Sequence, residues 1–116
     1  MVLTDITGYF SDIYYIYYIE CKSNKKKYVG RTRKPRNRQI NHFNALRGNR
    51  HCNAELQKDF NLYGEDDFSF VIVDTAENNV FARKQKERFW MEKFKTYNPN
   101  YGYNGRDAMF RRCTPI

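Results

Sequence analysis

The chain has 116 residues, with 21 Lys or Arg against 13 Asp or Glu, a formal net charge of +8. That length suits one domain, residues 1–116, with a core large enough to stand without disulfide staples. Ten Tyr, nine Phe and one Trp exclude a disordered chain, no apolar run approaches the ~20 residues of a membrane span, and the N-terminus lacks the basic and apolar regions of a signal peptide.

Residues 13–20, Ile-Tyr-Tyr-Ile-Tyr-Tyr-Ile-Glu, are β-branched and aromatic and predict a strand. Ser23-Asn24 and the lysines after them predict a turn, and Lys27-Tyr28-Val29-Gly30 a second, antiparallel strand. Pro35 suits the first turn of a helix, in which Ile40, Phe43 and Leu46 recur every three residues until Gly48 stops it. Asn53 is placed to cap a second helix with Leu56, Phe60 and Tyr63 as its buried stripe and Gly64 at its end. Residues 68–73, Phe-Ser-Phe-Val-Ile-Val, are nearly all apolar and predict a central strand covered on both faces. A third helix is expected from about Asn79 to Phe94, with Val80, Trp90, Met91 and Phe94 inward, followed by a Gly/Asn-rich turn through Gly105. The order β-β-α-α-β-α gives a small α/β (α+β) domain: a mostly antiparallel three-stranded sheet flanked by helices.

The charge is unevenly placed. Residues 21–54 hold eleven Lys or Arg and no Asp or Glu, whereas the rest holds ten basic and thirteen acidic residues. A one-sided basic block points to a polyanionic partner, against the plainer alternative of a solvated surface. Cys21, Cys52 and Cys113 are odd in number, widely spaced and lack a C-x-x-C pair, which favours reduced thiols and a cytoplasmic setting over a disulfide framework.

Within this frame a few residues carry chemistry. Arg38 and His42 are four apart and share a face of the first helix, read as its polar face; a guanidinium there suits a phosphate, although a solvated face is the commoner case. Glu87 stands three, four and seven residues before Trp90, Met91 and Phe94, so it falls on an apolar stripe. A carboxylate there must be paired or bind a cation, and a single carboxylate completed by water and phosphate oxygens is the usual manner of Mg²⁺. Tyr17 and Tyr28 read first as sheet packing, Asn104 as turn geometry, and His51 as an exposed loop histidine.

Together these positions resemble the GIY-YIG nuclease family from about Ser11 to Ala108, with a short basic tail at 109–116. Tyr15-Ile16-Tyr17 and Tyr28-Val29-Gly30 stand for its two opening motifs, the key tyrosines eleven apart. Arg38 and His42 match its first-helix arginine and histidine. Asn53-Ala54-Glu55-Leu56-Gln57-Lys58-Asp59-Phe60 is similar to its second helix, Glu87-Arg88-Phe89-Trp90 to its metal-binding segment, and Gly102-Tyr103-Asn104 to its closing turn. The likeness is greatest to the catalytic domains of phage and intron homing endonucleases. Two positions depart: Tyr15 replaces the first glycine, on the face of Tyr17, where it would crowd the pocket or offer a stacking surface, and Arg31 follows Gly30 where a small residue is frequent.

The resemblance implies a metal-dependent DNA endonuclease in a bacterial or phage-infected cell. Glu87 would hold one divalent ion, Mg²⁺ or Mn²⁺, and Arg38 the phosphate oxygens. Tyr17 would be the general base, with Tyr28 or His42 drawing away its proton or orienting the water. Asn104 would position Glu87 or the phosphate. Lys26, Lys27, Arg31, Arg33, Lys34, Arg36 and His51 form the expected DNA-binding set, although alternation sends Lys27 to the face opposite Tyr28. The tail, with Arg106, Arg111 and Arg112, leaves no room for a separate DNA-binding domain, so targeting would fall to a homodimer, a partner protein or weak sequence preference. The competing reading is a DNA-binding or interaction module that retains the fold without cutting.

Overall fold

The computed structural model describes residues 13–105. The ends of the expected 11–108 core, the basic tail and Cys113 lie outside the described residues. The elements are β1 (Ile13–Cys21), β2 (Lys27–Thr32), α1 (Pro35–Arg47), α2 (Ala54–Tyr63), β3 (Phe68–Glu77) and α3 (Val80–Phe94), in the expected order. Their boundaries follow local chemistry. Pro35 opens α1 and Gly48 closes it. Asn53 caps α2 by accepting from the Leu56 N–H at 3.0 Å, and Asn79 caps α3 by accepting from the Ala82 N–H at 2.7 Å.

The sheet is antiparallel with strand order β2-β1-β3. This corrects the expectation that Phe68–Val73 is central. β1 takes that place, because a short turn puts β2 on one side of it and β3 returns antiparallel on the other. β3 is nonetheless apolar on both sides because both faces of the sheet are packed. Phe70 and Ile72 join one cluster with Tyr17, Ile19, Tyr28, Phe43, Leu46, Leu56 and Phe60. Val73 joins the other with Ile16, Val29, Met91, Trp90 and Phe94. Helices α1 and α2 thus cover one face and α3 the other.

Three apolar positions expected to face inward, Ile40, Tyr63 and Val80, are exposed. Ile40 and Tyr63 lie one helical turn from Phe43 and Phe60, which already fill the space against the sheet, and Val80 is the first residue of α3. Among the described residues Cys21 is a buried free thiol.

Candidate functional site

Tyr17 lies in the middle of β1, directly opposite Gly30 of β2. The register between β1 and β3 slips here, from Ile16 opposite Asp74 to Tyr17 opposite Ile72. Such a bulge re-aims side chains beside a site. The Tyr17 ring stacks on Phe70 at 4.6 Å, and its hydroxyl lies over Gly30, where a Cβ would overlap it. The glycine of Tyr28-Val29-Gly30 is therefore a requirement of the tyrosine one strand away.

Behind Tyr17 runs a chain of imidazoles. The Tyr17 hydroxyl is 2.7 Å from His42 Nε2, His42 Nδ1 is 2.7 Å from His51 Nε2, and the Asn53 N–H donates to His51 Nδ1 at 3.0 Å. The last bond fixes the others. An amide N–H donates only to an unprotonated nitrogen, so neutral His51 carries its hydrogen on Nε2 and donates it to His42 Nδ1. His42 must then carry its own hydrogen on Nε2 and donate to Tyr17. Burial holds the His51 pKa down to about 4, which keeps that ring neutral.

Three expectations are corrected by this chain. His42 is fully buried rather than on a polar helix face, because α1 turns it toward β1. It also cannot accept the Tyr17 proton, since its facing nitrogen is already a donor. His51 is likewise no loop contact for DNA. It is buried, stacks on His42 at 5.0 Å between ring centres, and its N–H donates to Gln57 Oε1 at 3.0 Å. Gln57 in turn donates to the Leu46 carbonyl at 3.0 Å, tying α2 to the end of α1.

The charged half of the site lies on the other face. Glu87 is 4 % exposed, and Arg31 reaches from β2 to α3 to donate to its Oε1 at 2.8 Å. Arg31 also lines an open cavity of about 430 Å³ at the end of β2, together with Tyr14, Thr32, Arg33, Lys34 and Arg38. Arg33 and Lys34 are exposed on its rim. Arg38 and His42 sit one helical turn apart, so α1 links the cavity to the buried Tyr17 chain.

A metal of the hard, oxygen-seeking kind fits this donor set. Glu87 is a carboxylate whose partner Arg31 lines a basic cavity that suits a phosphate, and a single carboxylate completed by water and phosphate oxygens is a common way to hold Mg²⁺; the described residues contain no group of three His, Cys, Asp or Glu.

Asn104 takes a place that the sequence does not foretell. Its Oδ1 accepts from the Val29 N–H at 2.7 Å and its Nδ2 donates to the Val29 carbonyl at 3.0 Å. It therefore grips the backbone between Tyr28 and Gly30 rather than Glu87 or the cavity. The turn around it is built for this. Gly102 lies where a Cβ would overlap Thr96 and the Lys27 carbonyl. Buried Tyr103 donates to Asp59 Oδ2 at 2.7 Å, and Asn53 Nδ2 donates to the Tyr103 carbonyl at 2.9 Å.

Other expected residues fall outside the cavity. Lys27 turns from Tyr28, as alternation requires, pairs with Glu20 at 3.2 Å and lies over the Phe94 ring at 4.9 Å. Lys26 precedes β2 and Lys27 begins it, roughly 15 Å from the cavity at its other end. Arg36 is exposed on the first turn of α1. Tyr15 is 2 % exposed and so offers no stacking surface. Tyr28 is also buried, edge-on to His42 at 5.7 Å. The sequence reading missed the positioning roles of Gln57 and of the Asn53 backbone, although the Asn53–Phe60 pattern had marked both residues.

The fold is shared with known proteins. The family model of the GIY-YIG catalytic domain matches residues 13–104. The catalytic domain of the homing endonuclease I-TevI superposes with a TM-score of 0.69 at 27 % identity, covering 76 % of this chain and 92 % of that one. A glutamate-to-alanine variant of the I-TevI domain superposes at 0.70, again at 27 % identity, covering 79 % and 92 %. Among curated proteins none matches significantly. With the motif residues set on the sheet as described and the family match spanning them all, the chain belongs to the GIY-YIG catalytic domain family.

Proposed function

We propose that this GIY-YIG endonuclease hydrolyses DNA phosphodiesters at the end of β2 with the help of one divalent ion, Mg²⁺ or Mn²⁺. The observation that carries the reading is a buried carboxylate, Glu87, whose ion-pair partner Arg31 lines a basic cavity with Arg33, Lys34 and Arg38. Arg38 projects into that cavity from α1 and grips non-bridging phosphate oxygens, where charge builds up in the transition state. Glu87 holds the divalent ion, which when bound neutralises phosphate charge and stabilises the leaving oxygen.

Tyr17 serves as the base toward the attacking water. A free tyrosine ionises near pH ~10, and a hydrogen bond donated to its oxygen favours the phenolate. His42 supplies that bond, held in the right tautomer by His51. This assigns His42 a different task from proton acceptor: it stabilises charge on Tyr17. Asn104 keeps Tyr28 and Gly30 in register beneath the Tyr17 ring.

The test is nicking of a supercoiled plasmid with and without Mg²⁺. Mg²⁺-dependent nicking lost in Glu87→Ala is expected. Salt-sensitive DNA binding without nicking under any metal would instead favour a non-cleaving module.

A further inference from the structure

Resting on that reading of the site, we propose that Arg31 is an exchangeable counter-ion, which holds Glu87 until a DNA phosphate draws its guanidinium away and thereby couples metal binding to DNA binding. Arg31 leaves β2 on the α3 side and places Nη1 2.8 Å from Glu87 Oε1. Its side chain keeps 16 % exposure where the carboxylate keeps 6 %, and it lines the cavity alongside Arg38. One guanidinium thus faces both the buried anion and the place where a phosphate would sit.

Charge matching dictates the order of events. A carboxylate this buried is strongly unfavourable without a counter-charge. A divalent ion approaching it while Arg31 stays in place meets a cation already bonded to the same oxygen. A phosphate in the cavity alters both conditions. It offers Arg31 a forked anion in exchange, and Arg31's departure leaves Glu87 in need of a new cation. Arg31 on Glu87, or phosphate on Arg31 with metal on Glu87, sets opposite charges together, and either half-loaded state separates them. Coupling of this kind is reciprocal: the duplex tightens the metal as much as the metal tightens the duplex.

The experiment titrates Mn²⁺ and reads the free aqua ion by electron paramagnetic resonance, with the protein alone and with a short DNA duplex. Glu87→Gln under the same conditions gives the Mn²⁺ held by the duplex itself. In the parent, Glu87-dependent binding should be roughly tenfold tighter with duplex than without. Arg31→Gln should bind Mn²⁺ roughly tenfold tighter than the parent in the absence of duplex and gain little when it is added. Equal affinity of the parent with and without duplex overturns the coupling, and needs no variant to fold. A folded Arg31→Gln, checked by circular dichroism, with the parent's duplex-free affinity overturns the part assigned to Arg31. Mn²⁺ binding that is the same in parent and Glu87→Gln throughout overturns the metal role of Glu87, and with it the reading beneath.

Discussion

The two faces of the sheet solve the problem of buried polarity in different ways. Under α1, Tyr17, His42 and His51 are neutral and linked by hydrogen bonds whose direction is fixed from the Asn53 amide outward. Under α3, Arg31 and Glu87 are opposite charges joined in an ion pair. The first arrangement depends on which atom carries a hydrogen, and a single misplaced proton breaks it. The second depends only on net charge, so any suitable cation can replace Arg31.

The contrast can be broken most sharply at Glu87. Glu87→Ala should lower the nicking rate by at least about 10²–10³-fold while duplex binding in a filter assay changes only a few-fold. A variant that cleaves like the parent would place the metal elsewhere. Next in size, Arg38→Ala should lose about 10²-fold in rate and reduce the slope of log binding constant against log salt by about one phosphate contact. An unchanged rate would remove Arg38 from the transition state.

On the neutral face the effects are smaller and show in pH dependence. Cleavage by the parent should rise with pH, as a reaction that uses a general base does. His51→Ala frees the His42 tautomer, so that rise should move to higher pH, with a loss of roughly tenfold at neutrality. Imidazole nitrogen NMR should show His42 leaving the Nε2–H form. A parent-like profile would leave His51 as packing alone.

The smallest expected effect is on stability. The folded pKa of His51, about 4, lies below its ordinary value of 6.5. The unfolded chain therefore takes up the proton first. This contribution is whole above pH 6.5 and is lost as pH falls toward 4. Discounted for the part of the ring's surroundings that stays open to solvent, the loss is about 1 kcal/mol at pH 5, a few degrees in Tm. Calorimetry at the two pH values should show this drop in the parent and a smaller one in His51→Gln.

Much of this was legible in the sequence, for reasons that differ by residue. Pro35, Gly48, Asn53 and Gly64 act locally, so the helix ends could be read directly. Alternation placed Lys27 away from Tyr28 for the same reason. Strand order was not local: an apolar run such as Phe68–Val73 is equally at home in a central strand or in an edge strand packed on both faces. Glu87 announced itself as a carboxylate on an apolar stripe, but its partner Arg31 lies 56 residues earlier. His51 was misread because a polar loop residue gives no sign that the loop folds inward. Only the meeting of Gln57 with both the His51 amide and the Leu46 carbonyl makes it do so.

Asn104 closes the outer edge of β2 from 75 residues away. That separation has a consequence in time. During synthesis the hairpin, all three covering helices and the third strand can emerge before the residue that grips Val29 exists. Closing so long a loop is among the slower steps of assembly, and until it happens the strand bearing Tyr28, Gly30 and Arg31 has an open side. The hydrolytic centre is thus among the last parts of the domain to become rigid, and a chain cut short before Gly102 would carry nearly every reactive group without the frame that aligns them.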